Sequence, residues 1–369
     1  MHPRTHPDPG DSLAPPPLLR VLHVMTRMAT AGTERQLVGM LRAAHGRHWD
    51  AHLCVLYPGY PLAEEAAEFM PVTQLPYVRG TDPRRPAALR SLARDTAAQV
   101  VHPSLWGASW LTRASLAGTR RPAIVMSERR VEDFRPSWTR LVDAALRPLT
   151  DGWIGNSDDV VEFIRRVHGA PRGRVACIGN GIDTAVYHRA RAPRPAGGPR
   201  IGGVGRLVPE KGWDVAVAAL PMVLSSFPDA ILRIAGEGPE LDALSAAGAG
   251  LPLELVGLLP TPHAVAEFMR GLDVFVLPSR CEGMPNVVLE AQACGVPVVV
   301  TEAPGMASAL GPAATVVPPG DPTALAAAIS ATLRGGRHPA QVVAQSFDDV
   351  ARAHLRVFEA ALARREGAR

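Results

Sequence analysis

The feature that most constrains the fold is an alternation of short apolar runs with amphipathic segments along nearly the whole chain. Residues 18–25 form a run typical of a buried strand, and Leu37, Met40 and Leu41 follow at helical spacing. Further strand patterns in this half lie at residues 51–56, 100–102, 123–127, 152–156 and 174–180. Strands that alternate with helices predict a parallel sheet covered on both faces.

A stretch rich in Pro, Gly and Arg, residues 189–200, interrupts this alternation and predicts a linker. The alternation then restarts, and it ends in helices predicted over residues 322–334 and 347–365. The sequence therefore predicts an α/β protein with two doubly wound domains, residues 18–188 and 201–345. The carboxyl ends of their strands would face each other across a cleft, where ligands of such sheets bind.

The two ends of the chain differ from the domains between them. Residues 1–17 are rich in Pro, His and Asp and are expected to be a disordered tail without the apolar core of a signal peptide. Residues 346–369 are expected to form a helix that returns to the N-terminal domain. No run of 18 apolar residues occurs, so we expect a cytoplasmic protein, at most peripheral to the inner face of the membrane.

Four cysteines are spread through the chain without a C-x-x-C pair: Cys54, Cys177, Cys281 and Cys294. This spacing argues against a disulfide framework and a zinc site, and it fits a reducing compartment.

Charge is unevenly distributed. Residues 1–200 contain 27 Arg against 18 acidic residues, whereas residues 201–369 contain 12 basic against 17 acidic residues. The basic half suggests an acidic partner such as phosphate or anionic lipid, although arginines scattered over a solvated surface would give the same count. Nucleic acid is not expected as a partner, because aromatic residues make up only 5% of the chain and no nucleic-acid-binding motif occurs.

The first motif with chemical content is GGVGRLVPEKG, residues 202–212. Glycines after a strand allow a ligand to approach the backbone closely, and Arg206 and Lys211 lie five residues apart across the turn. Lys211 is the only lysine in the sequence. A guanidinium and an ammonium at a strand end can together bind a diphosphate. The glycines alone also fit an ordinary tight turn, because Val208 occupies the third glycine position of the dinucleotide fingerprint.

The second motif is SRCEGMPNVVLEAQACGVPVVVT, residues 279–301, which carries two carboxylates eight positions apart. Glu282 lies in a loop, and Pro285-Asn286 opens a helix that Asn286 could cap. The free N–H groups of such a first turn favour anions. Glu290, one turn into the helix, is placed to accept two hydroxyls of a ribose or a sugar. Two glutamates on a solvated helix face and a loop would be the alternative.

Together these motifs resemble the retaining glycosyltransferases of family GT4, which have the GT-B fold of two Rossmann-like domains. The resemblance is carried by Gly-x-Gly-Arg with Glu-Lys-Gly, by the two spaced glutamates and by Ala-x-Gly-x-Pro-Val-Val. Residues 31–37 (AGTERQL), 178–183 (IGNGID) and 235–239 (AGEGP) resemble further family segments. The likeness covers residues 19 to about 365, and its C-terminal motifs are the specific ones.

The resemblance implies roles for individual residues. Arg206 and Lys211 would hold the donor diphosphate, Glu290 the ribose hydroxyls, and Glu282 the donor sugar. Backbone N–H groups near Asn286 and Val287 would meet sugar hydroxyls or phosphate. The donor-binding positions implied in this way are Gly32, Gly205, Arg206, Lys211, Glu282, Gly283, Asn286, Val287 and Glu290.

One further catalytic position comes from the N-terminal half. His102, at the end of the strand pattern at residues 100–102, matches a family histidine near the reaction centre, although an ordinary loop histidine would look the same. SERR, residues 127–130, stands where many family members have a histidine-containing loop. The contacts to the acceptor therefore stay open.

The expected activity is transfer of a hexose-type sugar from a UDP- or GDP-sugar to a saccharide, glycolipid or lipid-linked acceptor, in surface polysaccharide or glycolipid biosynthesis. No Asp-x-Asp motif occurs, so we expect no metal and no other cofactor, with two cations and a helix N-terminus replacing the ion. A nucleotide-sugar epimerase, a phosphorylase and a non-catalytic nucleotide-sugar-binding subunit remain alternatives. Residues 129–149 mix Arg with Trp, Phe and Leu, which fits either contact with an anionic membrane or a helix that covers the sheet.

Overall fold

The computed structural model describes residues 17–76, 82–119, 121–131, 136, 138–189, 197–282, 284–303, 305–311, 313–336 and 345–367. Nearly all of the expected tail, most of the expected linker and the expected site residue Gly283 lie outside these ranges.

The N-terminal half forms a seven-stranded sheet in which every strand pairing is parallel. Its spatial order is β3-β2-β1-β4-β5-β6-β7. The strands are β1 (Leu19–Met25), β2 (Trp49–Val55), β3 (Val72–Gln74), β4 (Val100–Pro103), β5 (Ala123–Glu128), β6 (Gly152–Gly155) and β7 (Val175–Cys177).

The C-terminal half forms a second parallel sheet of six strands, in the order β10-β9-β8-β11-β12-β13. These strands are β8 (Arg200–Val204), β9 (Ile231–Ala235), β10 (Leu253–Gly257), β11 (Val274–Leu277), β12 (Val298–Thr301) and β13 (Thr315–Val317). The two sheets confirm the predicted α/β class and the doubly wound topology.

Helices connect the strands. They are α1 (Gly32–Ala44), α2 (Pro61–Ala67), α3 (Arg84–Asp95), α4 (Leu105–Leu116), α5 (Trp138–Leu146), α6 (Asp158–His168), α7 (Trp213–Leu224), α8 (Leu241–Ala247), α9 (Pro262–Arg270), α10 (Asn286–Ala293), α11 (Pro322–Gly335) and α12 (Phe347–Gly367). Pro221 lies inside α7. In the ranges that the structure describes, every helix is too short or too polar to span a bilayer.

The central strands of each sheet are buried on both faces and are mostly apolar, although β5 also buries Ser127 and Glu128. All four residues of β11 and all four of β12 are buried, and so are all six of β5. Since all strands of a sheet run the same way, their carboxyl ends share one edge, and the loops that carry the two motifs leave from that edge of the C-terminal sheet.

The last helix packs on the N-terminal sheet. Phe358 of α12 is fully buried, and its ring meets that of Trp49 with 5.3 Å between centroids. His48 Nε2 and Asp348 Oδ1 lie 2.7 Å apart, and the Ile182 N–H donates to the Gln345 carbonyl at 2.9 Å. The chain therefore leaves the C-terminal sheet and ends on the first domain.

Two strands differ from the sequence prediction. The pattern at residues 174–180 predicts a longer strand than β7, because residues 178–180 turn out of the sheet towards the other domain. Strand β3 was not predicted, since its three residues are half-buried at the sheet edge and lack a strong apolar pattern.

Candidate functional site

Two loops at the carboxyl edge of the C-terminal sheet bring the first pair of candidate residues together. Lys211 follows β8, and Glu282 follows β11. Lys211 Nζ donates to Glu282 Oε1 at 2.5 Å, and the Ser279 hydroxyl donates to the same oxygen at 2.6 Å. The carboxylate therefore holds the only lysine of the chain at the rim of the domain.

Glycines permit this close approach of the loops. A Cβ on Gly203 would lie 2.3 Å from the Val276 carbonyl oxygen and 2.6 Å from the Trp213 ring. At Gly236, whose φ is +153°, a Cβ would lie 1.9 Å from the Gly205 carbonyl oxygen. A side chain at either position would force these backbones apart, so the glycines of this edge are required by packing.

Arg206 lies five residues before Lys211 in the same loop after β8 and is exposed. A Cβ on the neighbouring Gly205 would lie 3.8 Å from Lys211 Cδ, so the lysine side chain passes this turn. The Arg206 carbonyl accepts a hydrogen bond from Trp213 Nε1 at 3.0 Å, which fixes its backbone. Within the described ranges, the Arg206 guanidinium has no ion-pair partner, so it is available to an anion.

Asn286 does not cap its helix, contrary to the sequence prediction. The N-cap position is Pro285, and no side chain caps α10. The Asn286 amide instead reaches the other domain: Oδ1 accepts from Asn180 Nδ2 at 2.7 Å, and Nδ2 donates to the Gly32 carbonyl at 3.4 Å. Because the Asn286 side chain hydrogen-bonds to the other domain, it does not accept from the first-turn N–H groups of α10, and no side chain caps them.

Glu290 lies one turn further along α10. Burial raises the pKa of its carboxyl to about 7, and the positive charge of Arg35 on α1 only partly opposes that effect. A carboxyl with this pKa exchanges its proton near neutral pH. It can therefore act as a charged acceptor for hydroxyl groups or as a neutral acid, depending on pH.

Helix α1 of the N-terminal domain meets helix α10 of the C-terminal domain at the gap. Gly32 opens α1, and a Cβ at this position would lie 3.4 Å from Asn286 Nδ2. Gln36, one turn later, exchanges two hydrogen bonds with the backbone of Gly181, at 2.8 and 2.9 Å. Helix α1 is thus fixed to the segment that faces α10, and Gly32 lies against Asn286 at the gap.

Asn180 connects the two domains, and the sequence analysis gave it no role beyond a family segment. Its Nδ2 contacts Asn286, and its Oδ1 accepts from Arg129 Nη1 at 3.3 Å. Its backbone N–H also donates to Met284 Sδ at 3.4 Å. The departure at residues 127–130 was the one sequence signal that pointed to this acceptor side of the gap.

The structure does not bring His102 to the donor residues. It is fully buried, because residue 102 pairs with His23 in the sheet register and both rings point into the domain. Trp49 Nε1 donates to His23 Nε2, so the neutral His23 donates from Nδ1 to His102 Nδ1 at 3.0 Å. His102 then donates from Nε2 to the Ser127 hydroxyl at 2.9 Å. Burial holds the pKa of His102 well below its usual value, and direct contact with a substrate gains no support from this geometry.

The structure thus unites Arg206, Lys211, Glu282, Asn286 and Glu290 at one edge, with Gly32 opposite. Val287 is half-buried in the first turn of α10, where its backbone N–H is one of the free donors. In the described part of the chain, no three His, Cys, Asp or Glu side chains form a cluster suited to a metal ion. The roles of these residues stay predictions at this point.

Family models match both halves of the chain. The model described as Glycosyltransferase Family 4 matches residues 30–186, and the model described as Glycosyl transferases group 1 matches residues 198–334. Together the two models span most of the chain.

Curated relatives are glycosyltransferases with different substrates. The chain is 37% identical over 164 residues to a 2-deoxystreptamine N-acetyl-D-glucosaminyltransferase of Streptomyces fradiae, which covers 42% of this chain and 39% of that protein. It is 33% identical to a GDP-mannose-dependent phosphatidylinositol monomannoside mannosyltransferase of Mycolicibacterium smegmatis (51% and 56% covered). It is 32% identical to a D-inositol 3-phosphate glycosyltransferase of Acidothermus cellulolyticus (53% and 47% covered). The chain spans about half the length of these relatives.

Solved structures share the fold over nearly the whole chain. Anabaena HepE in complex with UDP superposes with a TM-score of 0.73 at 18% identity, covering 95% of this chain and 99% of that one. A glycosyltransferase from Rickettsia africae gives a TM-score of 0.75 at 14% identity, covering 95% and 97%. At these identities the likeness shows the arrangement of the two domains and no more.

Proposed function

The chain belongs to the group 1 glycosyltransferases of family 4, and from this membership we propose that it transfers a hexose-type sugar from a nucleotide diphosphate sugar to an acceptor. The observation that carries the proposal is the Lys211–Glu282 pair, which joins the loops at the ends of β8 and β11. Arg206 lies in the first of these loops, and its guanidinium has no ion-pair partner among the described residues. These residues offer the charges that a diphosphate and a sugar require.

The two cations would stabilise the leaving nucleotide. Breaking the bond between sugar and phosphate places negative charge on the departing diphosphate. Arg206 offers a planar fork, and Lys211 offers a compact charge. Fixed cations near that charge lower the barrier, because they need no reorganisation during the reaction. The first-turn N–H groups of α10 add a partial positive charge on the same edge.

The two glutamates would position the donor. When no donor is bound, Glu282 forms an ion pair with Lys211. When the donor binds, its diphosphate would become a second anionic partner of Lys211 and weaken this ion pair. The carboxylate could then accept hydroxyls of the donor sugar. Glu290, on the inner side of α10, would accept the two ribose hydroxyls in its charged form. Retention of the anomeric configuration is part of the proposal and follows the family.

UDP and GDP are the nucleotides we propose. The mannosyltransferase relative is named GDP-mannose-dependent, and the HepE structure contains UDP. For the acceptor we propose a saccharide, glycolipid or lipid-linked saccharide of a surface polysaccharide or glycolipid pathway. The phosphatidylinositol mannoside in the name of one relative supports the lipid-linked case.

We extend the proposal to peripheral contact with an anionic membrane. On α5, Trp138 is 56% exposed and Leu141 is 74% exposed, and the exposed Arg140 lies between them in sequence. Phe134 and Arg135, which also supported this hypothesis, lie outside the described residues. Co-sedimentation with vesicles of anionic lipid should exceed that with neutral vesicles, and Trp138→Ser with Leu141→Ser should remove the difference. Equal binding to both kinds of vesicle would contradict this part of the proposal.

A panel of nucleotide sugars tests the activity. UDP- and GDP-linked hexoses are incubated with saccharide and lipid-linked acceptors in EDTA, and nucleotide release and product mass are measured. We expect one donor to give a glycosylated product, and the coupling constant of its anomeric proton to show the donor configuration. Glu290→Ala should lose turnover while keeping a cooperative unfolding transition.

Three outcomes would contradict the proposal. Free sugar and nucleotide formed without any acceptor would favour an epimerase. Nucleotide-sugar binding without product over the whole panel would favour a non-catalytic subunit. Unchanged turnover in Glu290→Ala would show that the reaction does not use the proposed site.

A further inference from the structure

The acceptor side of the gap contains a buried cation that the donor mechanism does not use. Arg129 follows β5 and is only 8% exposed. Its Nη1 donates to Asn180 Oδ1 at 3.3 Å, and no carboxylate of the described residues pairs with the guanidinium. Burial lowers its pKa to about 10, so the side chain is charged at neutral pH. A buried charge without a counter-charge destabilises a fold, so this arrangement needs a reason.

The groups around Arg129 do not supply that counter-charge. His102 and His354 face it and stay neutral, because burial and the positive potential of Arg129 both lower the pKa of each ring. His354 Nδ1 donates to the Val350 carbonyl at 2.8 Å, which leaves its Nε2 as a buried acceptor without a donor.

A second acceptor nearby is also unused. Asn156 Nδ2 contacts the same Asn180 oxygen as Arg129, at 3.5 Å, and Asn156 Oδ1 is buried without any hydrogen-bond partner. Buried polar groups are nearly always paired in native proteins. A charged donor and two unpaired acceptors in one place therefore indicate a position for a ligand with an anionic group and hydroxyls.

The position of Arg129 in the fold indicates which of the two substrates it would contact. Asn180 alone separates it from Asn286, the first residue of α10, so Arg129 lies next to the donor site but on the opposite domain. The donor diphosphate already has Arg206 and Lys211 on the C-terminal domain. Arg129, on the N-terminal domain, therefore faces the side from which the acceptor would enter.

We infer that Arg129 binds an anionic group, a phosphate or a carboxylate, carried by the acceptor, and that Asn156 accepts a hydrogen bond from an acceptor hydroxyl. This inference rests on the proposed function, since only a transferase places an acceptor here. The acceptor would bring the counter-charge that the described residues do not supply. Neutral sugars would lose this interaction, so the arginine would select acidic or phosphorylated acceptors.

Inorganic phosphate is the first probe, added to protein saturated with UDP or GDP so that the donor site is occupied. We expect phosphate to raise the melting temperature of the wild type and of Arg129→Lys, but not of Arg129→Gln. Arg356→Gln, which removes an exposed arginine of α12, should respond like the wild type. A phosphate response that persists in Arg129→Gln would overturn the inference.

The unliganded variants give a second readout. Arg129→Gln removes an unpaired buried charge but keeps a donor for Asn180, so its melting temperature without ligand should rise by about 2–4 °C. Arg356→Gln should not change it. A lower melting temperature in Arg129→Gln would show that the arginine supports the fold and would contradict a binding role.

Matched ligands separate the acceptor from the donor as the source of the anion. With the nucleotide present, a hexose 6-phosphate should bind the wild type roughly tenfold or more tightly than the free hexose, and Arg129→Gln should bind both equally. Equal binding in the wild type, or a loss of nucleotide affinity in Arg129→Gln, would overturn the assignment to the acceptor. If neither UDP nor GDP binds, the proposed function fails, and the phosphate titration still tests Arg129 by itself.

Discussion

The interiors of the two domains differ in what they bury. Between residues 201 and 336, the buried polar side chains that the structure describes are uncharged: Ser279, Gln292, Thr301 and Ser330. The N-terminal domain instead buries arginines and carboxylates, among them Arg113, Glu128, Arg129, Asp143 and Asp151. The charged side chains that the structure describes in the C-terminal domain stay at least partly exposed, among them Lys211 and Glu282 in loops at the sheet edge. The C-terminal domain, to which we assign the donor, therefore has an apolar core without buried charge among its described residues, whereas the N-terminal domain, to which we assign the acceptor, buries charged groups in its interior.

Four buried groups of the N-terminal domain illustrate how charge is accommodated in its interior. Arg113 Nη2 lies 2.6 Å from Asp143 Oδ1, and His168 lies between Asp143 and Glu128 at 3.2 and 3.3 Å. Burial alone would lower the pKa of His168, but the two carboxylates outweigh it and raise the pKa. The cluster thus holds two positive and two negative groups, whereas no carboxylate of the described residues pairs with Arg129.

The largest effect we expect comes from breaking this cluster. Arg113→Met leaves Asp143 buried with one cationic neighbour fewer, and should lower the free energy of unfolding by about 3–5 kcal/mol. Arg233→Met breaks the half-exposed Arg233–Glu254 pair of the C-terminal domain, and should cost about 0–1 kcal/mol. Urea unfolding followed by circular dichroism measures both. If both variants lose the same free energy of unfolding, the buried pair of the N-terminal domain is worth no more than the half-exposed pair of the C-terminal domain.

The next effect concerns catalysis in the C-terminal domain. Lys211→Met removes a fixed cation from the leaving group and should lower kcat by about 10²–10³-fold. The free energy of unfolding should fall by less than in Arg113→Met, because Glu282 keeps the hydrogen bond from the Ser279 hydroxyl. Arg233→Met, a cation of the same domain away from the site, serves as the control and should keep its turnover. Normal turnover in Lys211→Met would rule out the proposed stabilisation of the diphosphate.

The smallest effect is a pH dependence. Since burial raises the pKa of Glu290 to about 7, the carboxyl loses its charge as the pH falls through 7. Nucleotide affinity should therefore drop by about tenfold from pH 8 to pH 6, and Glu290→Gln should abolish the dependence. The histidines of the N-terminal core, His23 and His354, have pKa values of about 3 and do not titrate in this range.

The same shift has a consequence for stability. A carboxyl whose pKa is raised in the folded state binds its proton more tightly there than in the unfolded chain. The unliganded wild type should therefore lose stability relative to Glu290→Gln as the pH rises from about 4.5 through 7. Parallel curves for the two proteins would contradict the raised pKa.

Much of the fold and part of the site could be predicted because they depend on local patterns. Apolar runs indicate strands, and the motifs at residues 202–212 and 279–301 both follow strands whose ends share one edge. The contact of Lys211 with Glu282 is a consequence of that parallel topology.

The interdomain contacts could not be predicted in the same way. Asn180 and Asn286 are 106 residues apart, and no sequence pattern around either residue indicates that the two side chains are in contact. The prediction that Asn286 caps a helix was wrong, because its side-chain amide hydrogen-bonds to Asn180 and Gly32 across the gap. The burial of Arg129 and His102 also depends on α12, which returns from the far end of the chain.

Isothermal titration of UDP and GDP into three proteins tests most directly the division of work between the two domains. The wild type should bind one of the nucleotides, Lys211→Met should bind it at least roughly tenfold more weakly, and Arg129→Gln should bind it like the wild type. Equal weakening in both variants, or no weakening in Lys211→Met, would contradict the assignment of the donor to the C-terminal cations.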